Sequence, residues 1–326
     1  MPTEEFAPIP NTLPDAFGME LTYGVGETVT GVPLRRDGRV AEVVWQSRGR
    51  RPQAYGYRYD AHGHLRSAAH ADYQAAGWHL GNRYKTQYTC DADGRLATLE
   101  RWGPRTVADG ATPCFERMDY FRYAYTYGRL ATVRNLGFNT SVRARGTHPM
   151  TYSPVGELTH DHGAGTTIAY DAFSRPQRVT LGNGARVELG YTATGEKYYQ
   201  REVSAEGTTS ETQYHGAIEM RDGSRYAVMH PHGRALLNED GDYDHDEYVL
   251  RDHLGSTRVV LRDRYFDVRD VTQLAEVSAD DEPIVATWRP VLRILQVNDY
   301  YPFGQSLEVQ VPGSQRGRDY RYTYTG

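Results

Sequence analysis

The chain has 326 residues, with 37 Lys and Arg against 42 Asp and Glu for a net charge of −5, and 39% hydrophobic residues. That balance excludes a binder driven by phosphate neutralisation, and no apolar run approaches the roughly 20 residues of a membrane span. The length exceeds one ordinary core and suits two domains or one repeat array.

Tyr occurs 26 times against 8 Phe and 4 Trp, beside 33 Gly. Tyrosine buries its ring while keeping its hydroxyl wet or bonded, and it favours pleated surfaces. Long runs of strong helix formers are few. The expectation is an all-β chain. Residues 1–18 hold Pro2, Pro8, Pro10 and Pro14 and read as an extended leader. The acidic start, Met1-Pro2-Thr3-Glu4-Glu5, lacks the basic and apolar regions of a signal peptide.

The first strand is expected from Gly18 to Tyr23, a turn at Asp37-Gly38, and a second strand from Val40 to Trp45. Units of one kind then recur. Tyr57-Arg-Tyr59-Asp60-Ala-His-Gly63-His-Leu65 is the first, and Tyr88-Thr-Cys90-Asp91-Ala-Asp-Gly94-Arg95-Leu96 matches it with Cys90 in the second tyrosine position. Tyr123-Ala-Tyr125-Thr-Tyr-Gly128-Arg-Leu130 has a shortened turn. Units at Tyr152, Tyr170-Asp171 and Tyr191 follow. A period of roughly 20–35 residues signals a stacked array.

The repeating pattern is Tyr-Asp-x-x-Gly-Arg-Leu. Tyr ends one strand, Asp accepts from backbone N–H groups ahead of it, and Gly takes the left-handed position of a type I turn plus bulge. Leu opens the return strand on the buried face. One hairpin is marginal alone, because each ordered residue costs about 1–2 kcal/mol of backbone entropy and each cross-strand pair returns about 0.2–1 kcal/mol. Hairpins must therefore join into a long sheet.

Residues 66–87 and 101–120 read as less regular, with longer connections, and 201–211 as a polar hairpin end. Residues 238–247 read as an acidic loop, and 263–295 as two apolar strands around the polar tip at 278–283. Two denser blocks stand in this last part of the chain. One is YVLRDHLGSTRVV from Tyr248 to Val260, in which Asp252, His253 and Gly255 supply a tight turn. The other is Asp299-Tyr300-Tyr301-Pro302-Phe303-Gly304, where Pro302 calls for a strand end or an edge.

Few residues suggest chemistry. The run from Gly190 to Lys197 nearly spells a phosphate loop, but Glu196 precedes Lys197 and no Ser or Thr follows it. Asp240, Asp242, Asp244 and Asp246 alternate as calcium ligands would, yet His245 and Arg251 occupy the glycine and bidentate-glutamate positions of an EF-hand. His230 and His232, with His215 or His245, suggest zinc less well than surface decoration. Asp252 and His253 lack a nucleophile elbow, so Asp252 is read as a turn acceptor. Cys90 and Cys114 have no metal spacing; Cys90 is read as a small buried hydrophobe, and a disulfide is left open. No catalytic residue, metal ligand or cofactor is expected.

The two blocks, with the tyrosine units upstream, resemble bacterial Rhs proteins, also called YD-repeat proteins. The matching stretches are Asp252–Arg258 (DHLGSTR), 300–304 (YYPFG) and the terminal YTG at 324–326. Tyr59, Asp60, Gly63, Asp91, Gly94, Arg95, Tyr170 and Asp171 are the YD-type motif residues; Asp252, His253, Gly255, Tyr300, Tyr301, Pro302, Phe303 and Gly304 are the core-type ones. The resemblance implies YD-type β-hairpins in a long, curved antiparallel sheet, a partial Rhs-like shell. It implies a leader at 1–18, a YD-repeat array at 19–200 and a core-like region at 201–326. In that family the sheet spirals into a hollow shell around a variable C-terminal toxin used in competition between bacteria. Many members free the toxin through an Asp-Pro-x-Gly self-cleavage motif, and none occurs here.

The implied role is therefore a structural, non-catalytic shell segment. It would encapsulate or present a C-terminal toxin or cargo polypeptide lying beyond this chain. Its partners would be that cargo, a secretion apparatus or further shell segments, with no nucleic acid. Its location would be cytoplasmic before delivery, then secreted or at the cell surface by specialised export. The alternative is a surface adhesion or carbohydrate-binding repeat protein, in which Tyr and the tryptophans Trp45, Trp78, Trp102 and Trp288 face an open surface.

Overall fold

A computed structural model describes residues 16–105, 114–138, 143–264 and 291–310. Those residues form strands, turns and bends, with no helix among them. The strands are β1 (Phe17–Thr22), β2 (Glu42–Ser47), β3 (Gln53–Tyr59), β4 (Leu65–Gln74), β5 (Gly77–Leu80), β6 (Thr86–Cys90), β7 (Leu96–Arg105) and β8 (Cys114–Thr126). They continue as β9 (Arg129–Asn135), β10 (Gly146–Tyr152), β11 (Leu158–Asp161), β12 (Thr166–Tyr170), β13 (Pro176–Thr180), β14 (Arg186–Tyr191), β15 (Lys197–Val203) and β16 (Thr209–His215). The rest are β17 (Ile218–Arg221), β18 (Ser224–His230), β19 (Gly233–Leu237), β20 (Tyr243–Arg251), β21 (Thr257–Arg264), β22 (Val291–Tyr300) and β23 (Ser306–Gln310).

The chain divides into two compact units, Met1–Gln213 with Tyr300–Leu307, and Tyr214–Asp299 with Glu308–Gly326. In the first, strands that follow one another pair antiparallel from β1 to β4 and from β6 to β16. β4 is the branch point: Ala71–Gln74 pairs with β5, while Ser67 and Ala68 pair with β6. In the second unit β17 to β22 form the same up-and-down ladder.

One turn recurs. Its first residue donates its N–H to the carbonyl of the fifth, and the fourth donates back to the first. It begins at Asp60, Asp91, Ser153, Asp171, Leu181, Thr192, Ser204, Asn238, Asp252 and Tyr301. The fourth residue has positive φ, for example 80° at Gly94 and 87° at Gly255. The ladder slips by one residue just before it, at Arg58/Tyr59, Thr89/Cys90, Ala169/Tyr170 and Leu250/Arg251. This is a tight turn with a bulge, which needs a residue tolerant of the left-handed region. The shortened hairpin between β8 and β9 instead places Tyr127 and Gly128 at φ 50° and 78°, as a two-residue primed turn requires.

Side-chain burial is uneven. Every residue of β2 is buried. Val43 and Trp45 pack with Tyr55 and Ala68, while Val44 packs with Ala54 and Ala71 in a separate cluster, as the alternation of a strand dictates. From 158 to 202 the only buried residue is Gly163, so that stretch of sheet is held by half-buried side chains.

Several expectations need correction. Within 66–87 and 101–120, read as less regular, the described residues are largely strands β4, β5, β6, β7 and β8, with β4 divided between β5 and β6; residues 106–113 lie outside the described residues. The expected acidic loop at 238–247 is a turn from Asn238 to Asp242 followed by β20, whose residues pair with β19. Cys90 is half-buried and Cys114 exposed, and both are free thiols. Of the leader expected at 1–18, residues 1–15 lie outside the described residues, while Phe17 and Gly18 open β1 because they pair with Ser47 and Gln46; the polar tip at 278–283 and the terminal YTG also lie outside the described residues.

Ser174 is the one non-glycine at the fourth position of these turns, with φ 61°. Ser174→Gly removes that strain and is expected to raise stability by about 1 kcal/mol, read as a higher urea midpoint at unchanged m.

Candidate functional site

The repeat is a joint as well as a turn. Asp60, Asp91, Asp171 and Asp252 each use Oδ1 to accept two backbone N–H groups, from the third and fifth residues, at 2.9–3.0 Å. In two of them the fifth residue is Arg, and its Nε donates to Oδ2, at 2.9 Å for Arg95 and 2.7 Å for Arg175. Those arginines also reach forward: Arg95 lies over the Tyr125 ring at 4.8 Å and Arg175 over the Tyr191 ring at 4.8 Å. Arg175 donates to the Thr192 carbonyl as well, at 3.0 Å.

Tyrosines complete the joint from the other side. Tyr125 donates to the carbonyl of Leu96 (3.0 Å), Tyr152 to Leu130 (2.7 Å), Tyr170 to Leu158 (2.9 Å) and Tyr191 to Pro176 (3.1 Å). In each case the acceptor is the first or second residue of the strand before it in the ladder. Tyr59 donates in the same way to Val40, at 2.9 Å, just ahead of β2. Each ring thus spans a turn end while its hydroxyl is satisfied, and burial pushes the hydroxyl of Tyr170 up in pKa.

The Asp252 block lies in the second unit. His253 and Leu254 are exposed at the tip, while Ser256, Thr257, Arg258, Val259 and Val260 are buried. Arg258 stands 3.9 Å from both the Asp252 and the Asp299 carboxylates, and Asp299 is 2% exposed. Asn298 donates to the Thr257 carbonyl at 3.1 Å, and Gln296 to Asn298 at 2.8 Å. A buried guanidinium between two carboxylates therefore ties β21 and its turn to the end of β22. Nearby, buried Arg234 pairs with Glu247 at 2.6 Å. Burial alone would raise the Glu247 carboxyl, but His245 and Arg234 outweigh it and hold the group low.

The Tyr300 block belongs to the first unit. Tyr300 ends β22 and is buried. The turn that follows places Pro302 second and Phe303 third, with Phe303 at φ 69° and Gly304 at 87°; a positive third residue after Pro marks a type II turn. Tyr301 is 4% exposed and donates to the Trp102 carbonyl at 2.7 Å. Its ring meets Tyr84 edge-on at 5.9 Å and lies 5.6 Å from the Arg101 guanidinium. Arg101 is itself paired with the fully buried Asp119 at 2.8 Å. Burial drives the Tyr301 hydroxyl well above the ordinary tyrosine range and pushes Tyr88 up to about 12. Phe303 is largely exposed, yet its ring meets Tyr88 edge-on at 5.1 Å.

Sequence reasoning missed the partners of these blocks. Arg101, Asp119 and Asp299 carry no local pattern that marks them as buried. It also passed over Asp60, His62 and His64, whose possible ligand atoms lie within 4.8 Å of one another; the alternate spacing of the two histidines was the available signal. The histidines weighed for zinc take other partners: His230 lies 3.9 Å from Asp246, and His245 bonds Asp244 at 2.9 Å.

No family model and no curated protein matches the chain. Solved structures do. The chain is similar to one titled "Crystal Structure of TcdB2-TccC3-Cdc42" at 13% identity and TM-score 0.51, covering 91% of this chain and 15% of that one. It is similar to "Crystal Structure of TcdB2-TccC3" at 14% identity and TM-score 0.50, with the same coverage. At such identity the likeness is one of fold: an all-β, antiparallel sheet architecture in common with a toxin-complex chain. This chain spans 15% of the length of either neighbour.

Two outcomes test the site. Arg258→Met leaves the buried Asp299 and half-buried Asp252 carboxylates without their cation and is expected to cost about 3–5 kcal/mol in urea unfolding, whereas Arg95→Met, at a half-exposed pair, should cost far less. The second concerns acid. The carboxyls of Asp60, Asp91 and Asp171 are held below the ordinary range; at Asp60 the His64 N–H is the main cause, and at Asp91 and Asp171 the backbone and Arg donors outweigh desolvation. A depressed folded value contributes stability above the unfolded value of about 3.9, lost as pH falls through the folded one. Melting temperature should therefore hold level above that value and drop below it, with a shallower drop in Asp171→Asn.

Proposed function

We propose that this chain is a segment of an Rhs/YD-repeat β-shell that encapsulates or presents a C-terminal toxin or cargo polypeptide. The observation that carries the reading is the repeated joint, in which a tyrosine hydroxyl bonds the preceding strand and, at Asp91 and Asp171, the turn's arginine lies over the next tyrosine. A hairpin so joined adds indefinitely along a sheet, which is what a wall requires and an isolated binding module does not.

Three features support it. The DHLGSTR and YYPFG blocks resemble the core region of the Rhs family. The fold is shared with TcdB2-TccC3 chains, which are far longer, so closure of a wall would need further segments. Tyr59, Tyr125, Tyr152, Tyr170 and Tyr191 spend their hydroxyls on carbonyls inside the sheet, and Trp45 is 1% exposed, which favours a structural use of these rings over the open aromatic face that sugar binding demands. In this reading the chain catalyses nothing, and Asp252 and Asp299 serve to fix Arg258. Export would follow a specialised route after a cytoplasmic stage.

The test is limited proteolysis of the native-length polypeptide that contains this chain. Cargo resistant to protease while folded, and digested once the wall is unfolded in urea, is the expected result. Cargo digested at the same rate in both states overturns enclosure.

A further inference from the structure

The turn between β3 and β4 differs from its counterparts in one respect. At Asp91 and Asp171 the outer carboxylate oxygen, Oδ2, is held by an arginine from the fifth position. At Asp60 the fifth residue is His64, whose Nδ1 lies 3.3 Å from Oδ2. The third residue is His62, exposed at the tip, with its ring 6.0 Å from that of His64 and inclined by 24°.

The geometry is that of a partly assembled coordination sphere. Oδ1 of Asp60 is committed to two backbone N–H groups, which fixes the carboxylate and leaves Oδ2 pointing at the histidines. Two donors at about 2.0–2.1 Å from a tetrahedral Zn2+ stand about 3.3 Å apart, which matches the Oδ2 to Nδ1 separation. The Nε2 edge of the His64 ring faces Gly94 of the next turn, where a side chain would fit poorly because an added Cβ would lie 2.9 Å from Nε2, and Nδ1 is the nitrogen that faces the Asp60 carboxylate. His62 needs only a side-chain rotation to close the set, since all three ligand atoms already lie within 4.8 Å.

Two imidazoles and one carboxylate suit zinc and its neighbours in the transition series better than Ca2+ or Mg2+, which prefer oxygen throughout. The place is also one where the sheet lacks its usual joint. The next unit carries Cys90 where others carry the tyrosine that bonds back to the preceding strand. We infer that this turn is a site for a divalent transition cation, Zn2+ in the first instance, held by Asp60, His62 and His64 with water completing the sphere. A bound ion would stiffen a repeat turn whose neighbour carries Cys90 in place of a clamping tyrosine.

The test uses the untagged full chain with ZnCl2 alone, by isothermal titration calorimetry and thermal melting. The variants are His62→Ala, at an exposed tip, and His64→Arg, which restores the arginine found in the sister turns and so preserves the fold. One saturable site per chain is expected, with a rise in melting temperature on adding zinc. Each variant should weaken binding at least tenfold, since even the loss of a ligand's outer-shell partner costs about 10–100-fold, and should abolish the thermal shift. Absence of saturable binding at millimolar zinc, or undiminished binding in either variant, overturns the assignment.

Discussion

The structure depends on how a hairpin of marginal stability is fastened to the next. The fastening is a tyrosine hydroxyl placed on a carbonyl of the preceding strand, close to the turn. Such a bond contributes about 0.5–1.5 kcal/mol net, and an arginine over the ring adds about 0.5–1 kcal/mol at exposed sites. Neither amount would hold a free hairpin, but each repeats along the ladder. Tyrosine suits the task because ring and hydroxyl act in different places: the ring covers the half-buried face and the hydroxyl satisfies a backbone acceptor near the strand end. This explains how the stretch from 158 to 202 stays ordered with Gly163 as its only buried residue.

Where the units do have interiors, buried charge is part of them. Glu42, 1% exposed, accepts the N–H groups of Val29 and Thr30 at 2.9 and 2.8 Å and so pins the segment ahead of β2. Gly56 makes this possible, because a Cβ there would fall 1.9 Å from the Thr30 hydroxyl. Arg101 with Asp119, Arg234 with Glu247, and Arg258 with Asp252 and Asp299 repeat the theme. Burying ion pairs costs desolvation and adds little net stability over a well-packed apolar core. Each of these pairs joins residues on different strands or a strand and a turn, so each rewards one register among those an alternating sheet permits.

The recurrent turn separates backbone geometry from side-chain chemistry. Its frame needs an acceptor or a compatible backbone at the first position and a positive φ at the fourth. The third and fifth positions are free to vary, and they do: Asp93 and Arg95 in one turn, Phe173 and Arg175 in another, His62 and His64 in a third, Leu254 and Ser256 in the Asp252 block. The same frame therefore serves as a fastening in some places and presents a different set of donors in others.

Much of this was legible from the residues in order. The turn chemistry is local: Asp60, Gly63, Asp91, Gly94, Asp171 and Gly255 act within five residues, so spacing alone indicates strand, turn and strand and the all-β class. Strands in 66–87 and 101–120 were not legible, because their polar residues are buried only once β4, β7 and β8 meet their neighbours. The tertiary structure alone decided the partners of each block. Tyr301 reaches Trp102 and Arg101 across 199 residues, and Arg258 reaches Asp299 across 41. Contacts at such separations are set by which strands the ladder brings side by side, and no local periodicity encodes that. What the sequence determined was the turn; what the fold decided was which strands and side chains the turns bring together.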